Sequence, residues 1–123
     1  MAVFHAEPPD DLLSAHCQPC EGLLAPLDHE HIARYRAGLT LDWDTLEDAK
    51  IRRTFTFPSF RNAVAFVNRV ADVAEEEGHH PNLHVRYDTV SVDLSTHAVH
   101  GLSPNDFILA RKIEDLVDDV RHA

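Results

Sequence analysis

The chain has 123 residues, of which 44% are hydrophobic and 26% charged, and its formal net charge is −10. This length and composition predict one domain of an ordinary soluble protein. The acidity argues against nucleic acid and anionic membranes as direct partners, because both bind basic patches. No apolar run approaches the roughly 20 residues that span a bilayer. With no signal-peptide pattern and only two cysteines, we expect a cytoplasmic location.

Residues 1–27 are interpreted as an irregular N-terminal arm and residues 28–123 as the folded domain. The arm holds four of the seven prolines and both cysteines and shows little periodicity, so part of it is expected to be mobile. Cys17 and Cys20 form a Cys-x-x-Cys motif with no second motif to complete a zinc site. A reduced pair in a loop is the favoured interpretation. The alternative is a Cys/His metal site that includes the nearby histidines, which are His16, His29 and His31.

A short helix and a β-hairpin are predicted next. Asp28 has the side chain of an N-cap, and the pattern predicts a helix from there through about Leu39. Residues 41–44 are predicted to form a short strand. In residues 51–57 apolar and polar side chains alternate, as in a half-buried strand. A turn at residues 47–48 would join the two strands.

The longest predicted helix follows, with Ser59 as its N-cap and residues 60–77 as its body. Its apolar side chains repeat at helical spacing, which predicts a face packed against a sheet. Gly78 is the helix stop. Beyond it, two runs of alternating side chains, residues 83–87 and 90–94, predict a second hairpin with its turn between them.

The last helix begins at Ser103 and Pro104, which have the residue types of an N-cap and a first helical position. The predicted order is therefore helix, two strands, helix, two strands, helix. This order predicts an α+β fold in which a four-stranded antiparallel sheet carries three helices on one face. The other face of the sheet would be open as a binding surface.

Residues 75–106 concentrate the chemistry of the chain. His79 and His80 stand directly before Pro81, which biases His80 towards extended backbone and presents the pair at a corner. His97 follows the last predicted strand. Histidine is the side chain that most readily takes up and releases a proton near neutral pH. Three histidines near one corner are therefore a candidate site of proton transfer.

The spacing in this stretch resembles the pterin-4a-carbinolamine dehydratase family. The family pattern is Glu, three residues, His-His-Pro, five residues, an aromatic residue, nine residues, His, and an Asp eight or more residues later. The chain fills this pattern without a gap, with Glu75, His79, His80, Pro81, Tyr87, His97 and Asp106. The likeness covers most of residues 28–121, and the Cys-x-x-Cys of the arm is similar to that of many bacterial members.

The resemblance implies the same fold and a dehydratase that eliminates water from 4a-hydroxytetrahydropterin, giving quinonoid dihydropterin in tetrahydrobiopterin recycling. Histidines would transfer the protons, so we expect no metal and no organic cofactor. The implied catalytic residues are His79, His80 and His97, with His80 associated mainly with substrate binding. The implied substrate-binding or pocket-shaping residues are Glu75, Pro81, Ser95, Thr96, Asp106 and Trp43. Two of these have a simpler structural interpretation, since Trp43 would suit the core and Asp106 would cap its helix.

The resemblance also implies a homodimer or homotetramer that acts alongside an aromatic amino acid hydroxylase.

The chain departs from the family in two places. Many members carry an acidic residue directly before the histidine pair, where this chain has Gly78. Some carry a basic residue directly before the aspartate, where this chain has Asn105. Neither change removes a group that could transfer a proton.

Other functions stay open at this point. The chain could be a pterin-binding or protein-interaction module, since mammalian relatives are also dimerisation partners of a homeodomain transcription factor. It could instead serve molybdenum cofactor metabolism. Metal binding is disfavoured, because adjacent histidines rarely serve as paired zinc ligands. The histidines that such a site could draw on are His79, His80, His84, His97 and His100.

Overall fold

A computed structural model of the chain describes residues 7–19 and 25–121. Cys20 lies outside the described residues, so the Cys-x-x-Cys motif is seen only in part. The elements follow the predicted order of helices and strands. They are α1 (His29–Arg36), β1 (Asp44–Leu46), β2 (Lys50–Thr56), α2 (Phe60–Glu77), β3 (Asn82–Arg86), β4 (Thr89–Leu94) and α3 (Pro104–Arg121), with a 3₁₀ turn at His97–Val99 between β4 and α3.

The four strands form one antiparallel sheet in the order β1-β2-β4-β3. The central pair joins β2 to β4, with Ile51 opposite Leu94 and Phe55 opposite Val90. These four side chains are buried because alternate residues of a strand point to the same face, and that face is covered by the helices. The predicted α+β fold class is confirmed.

The core lies between the sheet and helices α2 and α3. Helix α2 buries residues at helical spacing, and its Phe66 ring packs 5.1 Å from the ring of Phe55. In the same way Phe107 of α3 packs 5.5 Å from Tyr35 of α1. All four rings are at most 2% exposed, and burial of each aromatic side chain contributes about 1.5–3 kcal/mol. No helix within the described residues is long and apolar enough to cross a membrane.

The predicted bounds of α2 are confirmed by its caps. The Ser59 side chain accepts the backbone N–H of Asn62, and Gly78 adopts left-handed backbone with φ of 68°. A glycine takes this conformation without steric cost. The carboxyl end of α2 is therefore fixed by local chemistry, and the histidine pair begins directly after it.

Two predicted bounds in the first half are wrong. Helix α1 ends at Arg36 and not near Leu39. Beyond the C-cap residue the backbone N–H groups donate to carbonyls three residues earlier, as from Leu39 to Arg36 at 3.0 Å, and not four residues earlier as in an α-helix. Strand β1 begins at Asp44, where it was predicted to end. The preceding backbone is drawn away from the sheet, since the N–H groups of Thr40 and Leu41 donate to the buried carboxylate of Glu114.

The second hairpin turns one residue earlier than predicted. Its turn lies at Tyr87 and Asp88, and Tyr87 has a positive φ of 55°. Strand β4 therefore begins at Thr89, which pairs with Arg86. The shift leaves the buried face of β4 as predicted, because Val90, Val92 and Leu94 still face the helices.

Candidate active site

The end of α2 sets the positions of the two adjacent histidines. After the left-handed Gly78, the N–H of His79 still donates to the Ala74 carbonyl at 3.2 Å. The chain then leaves the helix towards Pro81 and β3. The neighbours in this short connection differ in environment, since His79 is 7% exposed while His80 is exposed. One histidine is thus held in a buried network and the other stands at the surface.

The buried partner of His79 is Asp106. Its Oδ1 lies 2.6 Å from Nε2 of His79, and its Oδ2 accepts hydrogen bonds from the Thr96 hydroxyl at 2.7 Å and from the Ser103 N–H at 3.0 Å. Asp106 is fully buried. A buried carboxylate with three donors is well satisfied. Because Nε2 is occupied, Nδ1 is the ring nitrogen of His79 that is left for a ligand.

The Asp106 carboxylate contacts both the start of its own helix and His79. It stands three residues into α3 and accepts the N–H of Ser103, while the Ser103 hydroxyl accepts the N–H of Asn105 at 3.2 Å. This is a variant of the capping box, in which the hydroxyl of the N-cap residue accepts from the second helical residue and not the third. The same carboxylate holds His79. Thr96 and Ser103, whose hydroxyls lie 2.7 Å apart, support Asp106 from behind.

The exposed histidine of the pair also has a carboxylate partner. Nε2 of His80 donates to the Glu75 side chain, five residues earlier on the last turn of α2. Both side chains are more than half exposed. A hydrogen bond between two exposed side chains adds little stability, but it orients the imidazole and again leaves Nδ1 for a ligand.

His97 begins the 3₁₀ turn that follows β4. The turn is anchored by the Thr96 N–H, which donates to the Gly101 carbonyl at 2.7 Å. The His97 side chain is exposed, and its ring lies edge-on to His100 with 5.6 Å between centroids. Within the described residues no hydrogen bond to the His97 ring is formed. Unlike His79 and His80, it therefore has no carboxylate partner there.

These side chains meet around one open cavity of about 400 Å³. Its volume is within the range of small-molecule sites. Of the residues expected at a site, it brings together His79, His80, Ser95 and His97, and Gly78 and Ala98 complete the lining. Thr96 and Asp106 lie behind it, being 1% and 0% exposed. Pro81 is half-buried directly beside the lining residue His80.

The structure does not bring Trp43 to the histidine cavity. Trp43 is 1% exposed, its indole N–H donates to Glu114 at 2.8 Å, and its ring packs against Phe55. A smaller cavity of about 300 Å³ lies beside Glu114 and Arg53, and its lining contains no histidine. Trp43 is accordingly a core residue here.

Electrostatics at the same end of the sheet depend on Asp93. The Arg52 guanidinium donates to both of its oxygens, at 2.6 and 2.8 Å, and these bonds hold the pKa of the Asp93 carboxyl below its ordinary value. The Lys50 ammonium group, at 3.9 Å, acts in the same direction. Asp93 is two residues before Ser95 of the cavity, so this ion pair lies beside the strand end that leads into the cavity wall.

Three residues behind the site were missed by the sequence reasoning. Ser103 was recognised only as a cap, although its hydroxyl also bonds Thr96. Glu77 and Asn105 bind the N-terminal arm through partners 60 or more residues away in the chain. No local pattern marks such contacts. A group of three or more His, Cys, Asp or Glu side chains suited to a metal ion is not found among the described residues.

Comparison with known proteins decides the family. The family model described as pterin 4 alpha carbinolamine dehydratase matches residues 25–116. The chain belongs to this family. The resemblance seen in the histidine pattern is thereby confirmed. The matched range contains all of the residues that line the histidine cavity.

Relatives in several bacteria support the assignment to the dehydratase family. A Legionella pneumophila protein named "Putative pterin-4-alpha-carbinolamine dehydratase" is 44% identical over 110 residues, covering 89% of this chain and 97% of the relative. A Rickettsia canadensis protein of the same name is 41% identical over 101 residues, covering 82% of this chain and 93% of the relative.

Two solved structures share the dehydratase fold. The transcriptional coactivator/pterin dehydratase from Brucella melitensis superposes with a TM-score of 0.70 at 29% identity, covering 75% of this chain and 98% of that one. A pterin dehydratase-like protein described as a RuBisCO assembly factor in the alpha-carboxysome gives a TM-score of 0.55 at 21% identity, covering 63% of this chain and 92% of that one. The second likeness concerns the fold alone.

Proposed function

We propose that this protein is a 4a-hydroxytetrahydropterin dehydratase that uses histidines as its acid and base. The observation that carries the proposal is that His79 and His97 line the same cavity, with His79 hydrogen-bonded to the buried Asp106. Family membership supports the proposed substrate class. We assign the reaction to the domain of residues 28–123, with residues 1–27 as an arm.

The reaction needs two proton transfers. A carbinolamine carries a hydroxyl and an amine nitrogen on the same carbon, C4a. One group must protonate the hydroxyl, so that the C–O bond breaks and water leaves. Another must take the proton from N5 as the C=N bond of the quinonoid product forms. The proton gained by the base equals the proton given by the acid, so exchange with solvent restores the site without any cofactor.

The geometry suggests a role for each histidine. The carboxylate 2.6 Å from Nε2 of His79 orients that imidazole and leaves Nδ1 to exchange a proton with the substrate, and we assign His79 the role of proton donor. His97 has no carboxylate partner within the described residues and is exposed to water, which suits the acceptor. We assign His80, which is oriented by Glu75, mainly to substrate binding. Pro81, Ser95 and Thr96 complete the proposed binding residues, the first two beside the pterin and Thr96 as a support.

The dehydration of enzymatically generated 4a-hydroxytetrahydropterin, followed spectrally, tests the proposal. His79→Ala and His97→Ala should each lower kcat by about 10²-fold or more, as expected for loss of a general acid or base. His84→Ala is the matched control, because His84 is exposed on β3 and does not line the cavity. Background rates for wild type and both variants would remove the dehydratase assignment.

The cellular setting belongs to the same proposal. We propose a cytoplasmic protein that recycles tetrahydrobiopterin for an aromatic amino acid hydroxylase.

We also propose a homodimer or homotetramer, because four large apolar side chains are exposed on α2 and at the β3 edge. They are Phe60, Val64, Val85 and Tyr87, which are between 37% and 72% exposed. Light scattering of the purified chain would give the mass, and a monomer would contradict this part.

A further inference from the structure

The described part of the N-terminal arm packs directly behind the His79–Asp106 pair. Leu12 is 2% exposed and belongs to the core, and the Lys112 ammonium group of α3 donates to the Leu13 carbonyl at 2.6 Å. Gly38 makes room for the Leu12 side chain, since a Cβ at position 38 would lie 2.8 Å from it. From Leu12 onward the arm runs to the place where α2 ends and α3 begins.

At the end of α2 the arm is held by Glu77. Its Oε1 accepts the Cys17 N–H at 2.8 Å, and its Oε2 accepts from Nδ1 of His16 at 2.9 Å. Burial acts to raise the pKa of the Glu77 carboxyl, but the bonds from Cys17 and His16 and the charge of Lys112 outweigh it and the pKa is lowered. Glu77 precedes His79 by two residues, so this contact fixes the backbone that carries the imidazole.

At the start of α3 the arm is held by Asn105. Its Oδ1 accepts the Gln18 N–H at 2.9 Å, and its Nδ2 donates to the Gln18 carbonyl at 2.8 Å. The Cys17 thiol donates to the Asn105 carbonyl at 3.5 Å. Asn105 is 3% exposed and directly precedes Asp106. The Asn105 amide can accept and donate at once, whereas a lysine or arginine side chain has no acceptor and could not form this pair of bonds.

The clasp, defined as residues 16–18, therefore joins the end of α2, two residues before His79, to the start of α3, which supplies Asp106. We propose that the clasp positions Asp106 against His79, and that Asn105 is a positioning residue of the active site. Its effect on catalysis rests on the proposed dehydratase function.

Two variants release the clasp from opposite sides. Asn105→Ala removes both bonds to Gln18, and Glu77→Gln weakens the bonds to Cys17 and His16. Asp119→Asn is the matched control, because it weakens the exposed pair between Arg69 of α2 and Asp119 of α3, which is not one of the contacts that hold residues 16–18. All are made in a Cys20→Ser background, in which Cys17 is the only thiol of the chain.

Alkylation of Cys17 by iodoacetamide reports clasp release independently of catalysis. Burial first, with the nearby carboxylates, raises the pKa of the Cys17 thiol to about 12, so the docked thiol reacts slowly. We expect Asn105→Ala to accelerate alkylation about 10-fold or more, as the thiolate fraction recovers on exposure. In Glu77→Gln the lost charge of Glu77 itself lowers the pKa of the thiol, so Asn105→Ala is the variant whose alkylation rate reports release of the clasp. The Asp119→Asn control should leave the alkylation rate unchanged.

Two further readouts separate positioning from a purely structural role. In the clasp variants kcat should fall about 10-fold with KM within twofold, since small misplacements of catalytic groups cost rate. The Nε2–H resonance of His79 should shift or broaden in the same variants. Faster alkylation with kcat and the His79 resonance both unchanged would overturn the proposal, and so would unchanged alkylation. If the wild-type protein had no dehydratase activity, the proposed function would be wrong. The His79 resonance of the clasp variants, compared with that of wild type, would then still test whether the clasp positions Asp106 against His79.

Discussion

The indole Nε1 of Trp43 lies 2.8 Å from Oε2 of Glu114, although 71 residues separate the two in the chain. The same carboxylate accepts the N–H and hydroxyl of Thr40 and the N–H of Leu41, each at 2.9 Å. Glu114 is 7% exposed and stands on the face of α3 that packs into the core. A single buried carboxylate thus ties the connection between α1 and β1 to the last helix.

Replacement of Glu114 should destabilise the fold strongly. Glu114→Ala would leave the N–H groups of Thr40, Leu41 and Trp43 without their acceptor, and we expect a loss of about 3 kcal/mol in the free energy of unfolding. Urea denaturation followed by Trp43 fluorescence measures it. Asp115→Asn, at an exposed neighbour on α3, should change it by less than about 0.5 kcal/mol. Similar losses for both would contradict the role given to Glu114.

Asp106 can be tested without disturbing the shape of the site. In Asp106→Asn the side-chain amide can donate to Nε2 of His79, which would move the ring proton to Nδ1 and reverse its hydrogen-bonding role. We expect kcat for dehydration to fall about 10³-fold, by analogy with the aspartate of a serine protease triad. Circular dichroism and the unfolding midpoint check that the capping box survives. A kcat within threefold of wild type would show that Asp106 only caps α3.

Much of the fold could be predicted because its determinants are local. The Ser59 and Gly78 caps fixed both ends of α2, and the two-residue period marked the strands. The start of β1 was misplaced because Glu114 draws the backbone at residues 40–41 out of the sheet from more than 70 residues away. Contacts at that separation leave no period and no spacing in the sequence.

The candidate site divides in the same way. The His-His-Pro spacing marked all three cavity histidines, since side-chain type and turn chemistry are readable locally. Which of the adjacent pair is buried was not readable, because that depends on Asp106, 27 residues beyond His79. Trp43 could have belonged to core or pocket on sequence alone. Its burial against Phe55 and its bond to Glu114 decide between them.

The Arg52–Asp93 pair should make stability depend on pH. Hydrogen bonds from Arg52 hold the pKa of Asp93 below its ordinary value. The stabilisation is therefore present above the pKa of an unfolded aspartate, about 3.9, and is lost as the pH falls through the lower folded value. Arg52→Gln should lower the free energy of unfolding at pH 7 and have much less effect near pH 2.

A second arginine provides the control for that measurement. Arg69 pairs with Asp119 at 3.3 Å, but both side chains are about half exposed, so Arg69→Gln should have little effect at either pH. Urea midpoints at the two pH values give the comparison. A loss for Arg52→Gln that is the same at pH 7 and pH 2 would show that its contribution comes from packing of the side chain and not from the charge of Asp93.

His100 occupies a backbone conformation that favours glycine. Its φ is 54° and its ψ is 40°, and its ring lies edge-on to His97. Left-handed backbone costs a residue with a Cβ roughly 1–2 kcal/mol, whereas glycine adopts it freely but loses more entropy on folding. We expect His100→Gly to be about 0.5–1 kcal/mol more stable than His100→Ala by thermal or urea unfolding. Both variants lack the ring, so the difference between their free energies of unfolding reports the backbone conformation alone. The kcat of each variant, compared with that of wild type, reports the effect of the ring on His97. Equal stability of the glycine and alanine variants would show that the turn carries no such cost.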